Sequence, residues 1–411
     1  MTDCDQEPWV MVCGGFHKNG GMDKANWHLA HHLLETGRPV HLVGHMIDVD
    51  LMSHPLAVVY RVPRPLRSFV LGSPILDMKA VRVWRRLKKR WPRARMIANG
   101  GNCLAGDVNW SHYVNAAWKP QLDGAPLRYR LRFGLEHRRA CFRERVAYRS
   151  AKLVICNSEK TRGDVFSCTG GAVADVRTIY LGNDSQYNPV TPAEREAARR
   201  EMGLRADRKL AAFVGGLGYD NRKGFDVLCQ AWAQLSADAG WDADLIVAGS
   251  GPSFRKWQQT IGALHLGDRI RLLGFSNNIR SVLASVDVLV SASRYEPYGL
   301  NVQEALNRGI PAITTRASGI AERFPGALSP MLIENPNEVA DCIRALRYWR
   351  ARSDELCHEY RVLGRHLSAR SWECMAREMV DCIESVEAAG EQRAGSGRRH
   401  ARPANTGSDC A

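Results

Sequence analysis

Two carboxylates flank a glycine in the stretch RYEPYGLNVQEAL, which begins at Arg294. Glu296 follows an apolar, strand-like run, and Glu304 lies inside the helix that the stretch enters. Gly299 lets the backbone come close to a ligand, and the amides of Gly299 and Leu300 are free at the helix start to bind an anion. A loop acid and a solvated helix acid are the simpler alternative. The more specific interpretation is that a diphosphate binds to the amides at the helix start. Glu296 would then contact a neutral hydroxylated group beside it, and Glu304 would accept hydrogen bonds from a ribose diol.

A second candidate group is the basic pair Arg222 and Lys223 in the stretch VGGLGYDNRKGFDVL. The pair follows a predicted strand and loop and precedes a predicted helix. Cationic side chains at that position can neutralise a phosphate held near the strand ends. An exposed basic turn explains the same pattern equally well, so both interpretations stay open for this motif.

Glycine-rich turns occur in both halves of the chain without matching the usual nucleotide-binding fingerprints. The stretch GGFHKNGGM holds Gly20 and Gly21 before a predicted helix, which offers close backbone approach and free amides to an anion. Neither this stretch nor GSGP at 249–252 reads G-x-G-x-x-G, and the sequence contains no G-x-x-x-x-G-K-[ST]. A dinucleotide oxidoreductase and a P-loop NTPase are therefore poorly supported.

The elements that must position these residues alternate between strands and helices. The strand WVMVCGG, a glycine turn, a helix at 23–35 and the strand PVHLVGH form a βαβ unit, and the same order restarts at LAAFVGGLG. This alternation predicts an α/β protein with two doubly wound, Rossmann-like domains that face each other across a cleft. Strand ends and helix starts from both domains would line that cleft.

Composition narrows the class of protein. A chain of 411 residues exceeds one ordinary core, and hydrophobic and charged fractions of 45% and 24% are typical of a globular protein with two or three domains. The apolar runs are strand-sized, and the N-terminal stretch carries acids where a secretory signal would be basic, so we expect a cytoplasmic protein. Twelve cysteines without a C-x-x-C pair favour buried thiols over disulfides or a zinc site.

The formal net charge of +14 favours anionic partners. The segment 79–95 holds nine basic residues and no acid, and 127–149 is nearly as basic. In the first segment, apolar residues recur at helical spacing: Val81, Trp84, Leu87 and Trp91. A packed helix with a solvated basic face is the commoner explanation, and a helix resting on anionic lipid is the alternative. No zinc finger, RNA-binding signature or basic zipper occurs, so we do not expect nucleic acid as a partner.

Taken in order, these motifs resemble those of the family 4 retaining glycosyltransferases, which have the GT-B fold of two Rossmann-like domains. The pair E-x7-E with G-L after the first acid carries the resemblance, and further motifs follow the family order: NGGMDKAN, NSEKTRGDV, RKGFD, GSGP, LLGF and a last helix, SWECMAREMVDCI. The resemblance implies transfer of a hexose from a nucleotide diphosphate sugar to an acceptor hydroxyl, with retention at the anomeric carbon. It implies no bound metal, no other cofactor and no enzyme nucleophile.

The resemblance also implies roles for individual residues. Arg222 and Lys223 would stabilise the departing diphosphate. Glu296 would contact the donor sugar and Glu304 the ribose. His112 would bind hydrogen-bonding groups on the acceptor side, with a structural histidine as the alternative. The implied nucleotide-binding set is Gly20, Gly21, Gly216, Gly274, Phe275, Tyr298, Gly299, Leu300 and Glu304.

Two departures from the family pattern bear on these roles. Many relatives carry an arginine directly after the glycine of the first C-domain strand, where this chain has Gly216, and Arg222 is the candidate substitute. Asn115 stands where many relatives have the second histidine of an H-x-x-H motif.

A D-x-D pair, Asp48 and Asp50, lies away from the donor half, so we interpret it as loop acids and not as a metal site.

We expect an acceptor-side domain at 1–187, a nucleotide-sugar domain at 188–370 and a last helix at 371–388, which by the resemblance crosses back to the first domain. The polar, Gly/Arg-rich composition of the tail at 389–411 predicts disorder. The expected partners are a nucleotide sugar and a glycan or lipid-linked acceptor, with peripheral contact to the inner face of an anionic membrane. Two other functions stay open. One is a GT-B binding protein that has lost catalysis, and the other is a nucleotide-sugar isomerase.

Overall fold

The computed structural model describes residues 6–122, 124–184 and 187–399. Two parallel sheets dominate it. The strands of the first sheet are β1 (Trp9–Phe16), β2 (Val40–Ile47), β3 (Ala57–Arg61), β4 (Arg95–Asn99), β5 (Val108–Ser111), β6 (Leu153–Cys156) and β7 (Val176–Thr178). The strands of the second are β8 (Lys209–Val214), β9 (Ala243–Ala248), β10 (Ile270–Gly274), β11 (Val288–Ser291), β12 (Ala312–Thr315) and β13 (Leu332–Ile333).

Helices cover both sheets. In the first domain they are α1 (Met22–Glu35), α2 (Val49–Met52), α3 (Phe69–Arg90), α4 (Leu127–Ser150) and α5 (Glu159–Thr169). In the second domain they are α6 (Pro192–Glu201), α7 (Phe225–Ser236), α8 (Phe254–Ala263), α9 (Ile279–Ser285), α10 (Leu300–Asn307), α11 (Val339–Arg352) and α12 (Cys357–Ser368). The last helix is α13 (Trp372–Arg399).

The strand orders are β3-β2-β1-β4-β5-β6-β7 and β10-β9-β8-β11-β12-β13. In each sheet the order reverses beside the first strand, so the loops after β1 and β4, and after β8 and β11, open into a crevice at the carboxyl ends. These two doubly wound sheets confirm the predicted α/β architecture. The predicted boundary at residue 188 falls in the connection between β7 and α6.

The strands form where the sequence is apolar without interruption. All residues of β6 and β9 are buried, as expected for parallel strands with helices on both faces. Helix α7 buries an apolar face that consists of Phe225, Leu228, Ala231, Trp232 and Leu235. Their helical spacing places them on one side of the helix, against the second sheet.

The last helix returns from the second domain to the first, as predicted. At its start the Trp372 ring stacks on His28 of α1, with ring centroids 4.8 Å apart. Further along, Glu387 pairs with Arg95 of β4 at 2.7 Å. The helix does not end at residue 388 but continues to Arg399, past the predicted start of the tail, although that stretch holds Gly390, Gly395 and Gly397, which are poor helix formers. The remaining part of the predicted tail, 400–411, lies outside the described residues.

The basic segment 79–95 is largely helix α3, and its apolar stripe packs inward. Val83 and Leu87 are buried in the core beneath the helix, and Trp84 and Trp91 pack against that core. The apolar stripe is therefore packed against the first domain, and the basic side of the helix is exposed. Within 6–122, 124–184 and 187–399, no helix is long and apolar enough to cross a membrane.

The D-x-D pair and the cysteines were predicted to have no metal-binding role. Asp50 forms an ion pair with Lys18 at 2.7 Å, and Asp48 precedes α2 as its N-cap residue. The ten cysteines in the described part of the chain are free thiols, and half of them are buried. Burial favours the predicted role as small hydrophobic side chains.

Candidate functional site

The loop that carries the basic pair is fixed directly against the end of β11. Gly224 has a φ of +69°, and a Cβ there would overlap the carbonyl oxygen of Ala292. Arg294 holds the two loops together, because its guanidinium donates to Asp226 at 2.7 Å and to the Asn221 carbonyl at 2.8 Å. Only glycine allows this approach, which explains the glycine that follows the basic pair in sequence.

Glu296 lies on one of these two joined loops and contacts both Arg222 and Lys223 on the other. Its carboxylate forms an ion pair with the Lys223 ammonium, and Arg222 Nη1 lies 3.8 Å from Glu296 Oε2. Burial raises the pKa of Glu296, but the charges of Lys223 and Arg222 more than offset that effect and leave the pKa below its usual value. The three predicted residues therefore form one charge cluster, in which an ionised carboxylate neutralises part of the cationic charge.

The start of α10 faces the glycine loop of the first domain. Gly299 has a φ of +112°, and a Cβ there would lie 2.9 Å from both Ser318 Oγ and Ile320 Cγ2, so glycine is required. Across the cleft, a Cβ on Gly21 would lie 3.1 Å from Leu300 Cδ1. The two predicted anion-binding turns thus come from different domains and meet.

Tyr298 is placed differently from its neighbours in the predicted nucleotide-binding set. It is buried, and its hydroxyl donates to the side-chain oxygen of Gln303. Gln303 in turn donates to the Gly182 carbonyl at 2.9 Å, in the connection between the domains. The Tyr298 side chain is therefore engaged in packing, and its carbonyl accepts hydrogen bonds from the Ile320 amide at 2.6 Å and the Ser318 hydroxyl at 3.1 Å.

Glu304 carries the second carboxylate of the pair and is partly buried on α10. Burial raises its pKa, and the nearby Lys24 of α1 only partly counters this. Within the described part of the chain, its carboxylate accepts no hydrogen bond, whereas Lys24 is already paired with Asp184. Such a half-buried, unsatisfied acceptor beside the cleft is suited to a ligand that brings its own hydroxyl donors.

Three further predicted residues lie at neighbouring strand ends of the second sheet. The Gly249 amide donates to the Gly274 carbonyl at 2.8 Å, and Gly274 has a φ of +76°. Phe275 directly follows and is 75% exposed. Gly216 lies in the loop two residues after β8, and a Cβ there would lie 3.9 Å from the Ser250 carbonyl oxygen, so a side chain has ordinary van der Waals room. An exposed aromatic ring at this edge can stack on a flat base.

His112 directly follows β5 and is buried. Its ring packs beside Trp110 with centroids 4.2 Å apart, and its Nε2 has no hydrogen-bond partner among the described residues. Burial lowers its pKa to about 3, so the imidazole is neutral at ordinary pH. The next residue, Tyr113, contacts the ring of Tyr295 across the cleft, which places His112 near the charge cluster without a direct contact to it.

Asn115, the residue in the place of a second histidine, has a structural role. Its side chain donates to the buried carboxylate of Glu144 at 2.8 Å, and its own amide donates to the same oxygen. Glu144 thereby holds the turn that follows His112. Because Asn115 replaces the second histidine of the motif, His112 is the histidine on this segment whose ring nitrogen is available to a ligand.

Tyr295 is a residue that the sequence interpretation missed. Its hydroxyl accepts a hydrogen bond from the Val114 amide at 3.2 Å and donates to Asp164 at 3.1 Å, and both partners belong to the first domain. The Lys160 ammonium lies 4.3 Å from the ring centroid. Tyr295 immediately precedes Glu296, so it connects the position of the charge cluster to the opposite domain.

A second contact between the domains involves the motif NSEKTRGDV. The amides of Glu159 and Lys160, at the start of α5, donate to the Glu322 carboxylate at 2.9 and 3.2 Å. Ser158 donates to the Pro297 carbonyl at 2.7 Å. This motif therefore binds the second domain at a helix start, a position that favours a carboxylate.

The chain is similar in sequence to known proteins over part of its length. Residues 208–347 match the family described as Glycosyl transferases group 1. A 2-deoxystreptamine glucosyltransferase of Streptomyces kanamyceticus is 29% identical over 207 residues, which are 50% of this chain and 52% of that protein. A D-inositol 3-phosphate glycosyltransferase of Corynebacterium urealyticum is 26% identical over 279 residues, 64% of this chain and 63% of that protein. The chain thus spans roughly half to two thirds of the length of these relatives.

Solved structures match over nearly the whole chain. WaaG, a glycosyltransferase involved in lipopolysaccharide biosynthesis, has a TM-score of 0.71 at 20% identity, covering 91% of this chain and 99% of that one. Sucrose-phosphate synthase from Thermosynechococcus elongatus has a TM-score of 0.70 at 18% identity, covering 93% and 100%. Anabaena Alr3699/HepE, in complex with UDP and glucose, has a TM-score of 0.65 at 17% identity, covering 92% and 100%. These likenesses show the GT-B fold.

Proposed function

We propose that this chain, which has the GT-B fold and resembles the glycosyl transferases group 1 over residues 208–347, transfers a hexose from a nucleotide diphosphate sugar to an acceptor hydroxyl. The observation that carries the proposal is the charge cluster of Arg222, Lys223 and Glu296 beside the start of α10. Two cations and free helix amides are what a diphosphate leaving group requires.

In the proposed reaction, negative charge develops on the diphosphate as the bond to the sugar breaks. Lys223 and Arg222 stabilise that charge, and because they are held by neighbouring loops they need little reorganisation. A bound diphosphate competes with Glu296 for Lys223. Glu296 is then free to accept hydrogen bonds from hydroxyls of the donor sugar.

The other predicted residues position the nucleotide. Glu304, whose carboxylate lacks a protein donor, accepts hydrogen bonds from the ribose diol. Phe275 stacks on the base at the edge of the second sheet. Gly20 and Gly21 close over the phosphates from the first domain. Transfer with retention, by attack of the acceptor on the face from which the diphosphate leaves and without a metal, belongs to the same proposal.

The acceptor belongs to the first domain in this scheme. The neutral His112 can accept a hydrogen bond from an acceptor hydroxyl or donate one to it, because its ring is not protonated at ordinary pH. We place the reaction in the synthesis of a glycan, glycolipid or cell-surface polysaccharide, on the cytoplasmic side. UDP-glucose is the first donor to test, since UDP and glucose occupy the similar Anabaena structure.

A thermal-shift screen with UDP-, GDP-, ADP- and TDP-sugars tests the binding step. A ligand that binds only the native state raises its stability by about 2.7 kcal/mol at a hundredfold excess over its Kd. At least one nucleotide diphosphate must therefore raise the Tm, and the same addition must have a reduced effect on Glu304→Gln. If none of the nucleotides stabilises the protein, the proposal is wrong.

A catalytically inactive nucleotide-sugar-binding protein is the second candidate. It is favoured by Gly216, where many relatives carry an arginine. In the structure Arg222 supplies a guanidinium 3.8 Å from Glu296, and this favours an active enzyme. Release of free nucleotide diphosphate from the sugar nucleotide found in the screen separates the two candidates, because a binding protein releases none.

A further inference from the structure

We propose that the segment 157–161, which leads into α5, is a positioning element that fixes the loop of Glu296 relative to His112. The segment belongs to the stretch NSEKTRGDV, which is not among the groups that bind substrate in the proposed reaction. Its effect on turnover rests on the proposed function, because Glu296 and His112 are the groups placed on the donor and acceptor sides. The positioning itself is a property of the fold and does not depend on any reaction.

Ser158 connects the first domain to the loop that carries Glu296. Its hydroxyl donates to the carbonyl of Pro297, the residue that follows Glu296, at 2.7 Å. Ser158 has no exposed surface, and Pro297 is buried as well. Because a buried carbonyl that loses its donor is costly, this contact holds the Pro297 backbone at a fixed place against the start of α5.

A glycine of the second domain makes this contact possible. A Cβ on Gly319 would overlap the Pro297 carbonyl oxygen and would lie 2.7 Å from Ser158 Oγ, so a side chain there would push the two domains apart. The Gly319 amide donates to the Glu296 carbonyl at 2.9 Å, and the Glu296 amide donates to the Ala317 carbonyl at 3.2 Å. The backbone of Glu296 is thus held by its own domain, and that of Pro297 by the other.

Thr161 continues the hydrogen-bonded chain toward the acceptor side. Its amide donates to Ser158 Oγ at 3.0 Å, and its hydroxyl donates to Asn157 Oδ1 at 2.8 Å. The Asn157 side chain then donates to the His112 carbonyl at 3.3 Å. Asn157, Ser158 and Thr161 are all buried. The chain of hydrogen bonds therefore runs from the donor-side loop to the backbone of His112 through the protein interior.

The two hydroxyl groups of this chain have one arrangement of protons that satisfies both acceptors. Ser158 Oγ also lies 2.9 Å from Thr161 Oγ1, and Thr161 Oγ1 lies 3.2 Å from the Pro297 carbonyl oxygen. Each hydroxyl has a single proton and donates once. With the Ser158 proton on Pro297 and the Thr161 proton on Asn157, the two shortest contacts are used. Removing either hydroxyl therefore interrupts the chain.

The simpler alternative is that Ser158 only caps α5, since its side chain accepts from the Thr161 amide. A cap needs no partner in another domain, and the hydrogen bonds from Thr161 to Asn157 and on to His112 contribute nothing to it. A fully satisfied buried network does make a structure rigid. Because a displacement of about 1 Å at a reacting group can cost about 100-fold in rate, a rigid connection between the donor and acceptor sides favours positioning.

Substitutions at Thr161 and Ser158 test the effect on turnover. Thr161→Val should reduce kcat by about 10- to 100-fold and leave the Kd of a nucleotide diphosphate unchanged, whereas Thr161→Ser keeps the hydroxyl and should retain kcat. Ser158→Gly should lose as much kcat as Ser158→Ala, although glycine replaces an N-cap serine with a smaller loss of stability than alanine does. The double variant Ser158→Gly with Thr161→Val should be no slower than either single variant, because one break interrupts the chain.

Thr169→Val is the matched control, because it removes an equivalent buried hydroxyl from the same helix. The Thr169 hydroxyl donates within α5, to the Val165 carbonyl at 2.8 Å, and takes no part in the chain. This variant should retain kcat. An equal loss of kcat in the control, or additive losses in the double variant, would show that the segment supports only the fold and would overturn the proposal.

Hydrogen exchange without substrate measures the positioning separately from the reaction. In Ser158→Gly the amides of Glu296 and Gly319 should exchange about fivefold faster relative to the amides of β9, which report on global unfolding, and in Thr169→Val they should not. Unchanged relative exchange in Ser158→Gly would overturn the proposal, whatever activity is found. Faster exchange in a protein that transfers no sugar from any nucleotide sugar would support the positioning and contradict the proposed function alone.

Discussion

Lys223 and Glu296 form an ion pair between two loops that lie side by side at the carboxyl ends of β8 and β11. Glu296 is only 14% exposed, so this pairing is shielded from water and keeps the carboxylate ionised. In the proposed reaction, a diphosphate that enters the site draws Lys223 away from Glu296. The ion pair would then set the protein's own carboxylate in competition with the leaving group.

Replacing Lys223 with alanine should reduce turnover more than nucleotide binding. In the proposed mechanism Lys223 acts mainly on charge that develops in the transition state, whereas Arg222 and the α10 amides would still hold the bound diphosphate. Loss of one such preorganised group reduces kcat by about 100- to 1,000-fold. Steady-state kinetics and nucleotide titration on the same preparation measure the two effects.

Lys209→Ala is the control for this experiment, because Lys209 begins the same strand at the end away from the cleft. Its kcat should equal that of the unchanged protein. Equal losses of kcat and of nucleotide affinity in Lys223→Ala would show that the side chain only binds. An unchanged kcat would remove it from the proposed mechanism.

Glu304→Gln should stabilise the free protein and weaken its response to nucleotides. Burial raises the pKa of Glu304, so the folded state favours the protonated carboxyl, and the ionised form costs stability at neutral pH. This cost disappears as the pH falls below the ordinary value for glutamate. We therefore expect a higher Tm for the variant at pH 7, no difference at low pH, and a smaller Tm increase on adding a nucleotide diphosphate. A lower Tm at pH 7 would contradict this account of the carboxylate.

Gly224→Ala should displace the basic loop and abolish activity. Its φ of +69° costs an L-residue about 1–2 kcal/mol, and the new Cβ would also overlap the Ala292 carbonyl. Gly262→Ala is the control, because Gly262 lies in α8 with no neighbouring atom within 4 Å of the place that a Cβ would occupy. That change should stabilise the protein by about 0.5–1 kcal/mol. Urea unfolding and initial rates distinguish the two.

The residues that could be predicted from the sequence are those whose local chemistry is unusual. Gly20 and Gly299 were predicted at strand-to-helix turns, and both have the positive φ that favours glycine there. Glu296 and Lys223 could be assigned to one site because parallel strands bring their carboxyl ends to one edge. Their direct ion pair could not be predicted, since it depends on how two loops pack.

The sequence did not show which way individual side chains point, toward the core of their own domain or toward the opposite domain. Tyr298 and Tyr295 both flank Glu296 closely, yet one packs inward and the other reaches into the opposite domain. The helical stripe at Trp84 is plain in the sequence and is packed, whereas the exposed stripe at Leu131 lies on a helix whose sequence is conspicuous mainly for its charge. Periodicity gives the phase of a stripe, and tertiary packing decides which stripe is covered.

His112 should make the folded state less stable as the pH falls. Burial lowers its pKa to about 3, whereas the unfolded chain binds a proton near the ordinary value of about 6.5. Stability is therefore full above the unfolded value and decreases between the two, by about 2 kcal/mol from pH 7 to pH 5. His112→Asn should remove this part of the slope in urea unfolding at the two pH values. His41, whose pKa burial lowers to about 4, should leave a residual slope of the same sign.

Tyr295→Phe should reduce kcat while leaving nucleotide affinity nearly unchanged. The hydroxyl joins the Glu296 loop to Val114 and Asp164 of the first domain, so its removal frees that loop without touching the basic pair. The buried Val114 amide would then lack its acceptor, at a cost of about 1–3 kcal/mol. Since Tyr295 acts through Glu296, the loss should be absent in a Glu296→Gln background, where the loop position no longer matters. Tyr129→Phe, on the rim of the cleft, is the matched control and should retain full kcat. Additive losses in the double variant would show that the hydroxyl supports the fold alone, and a weakened nucleotide affinity would place its effect on binding instead.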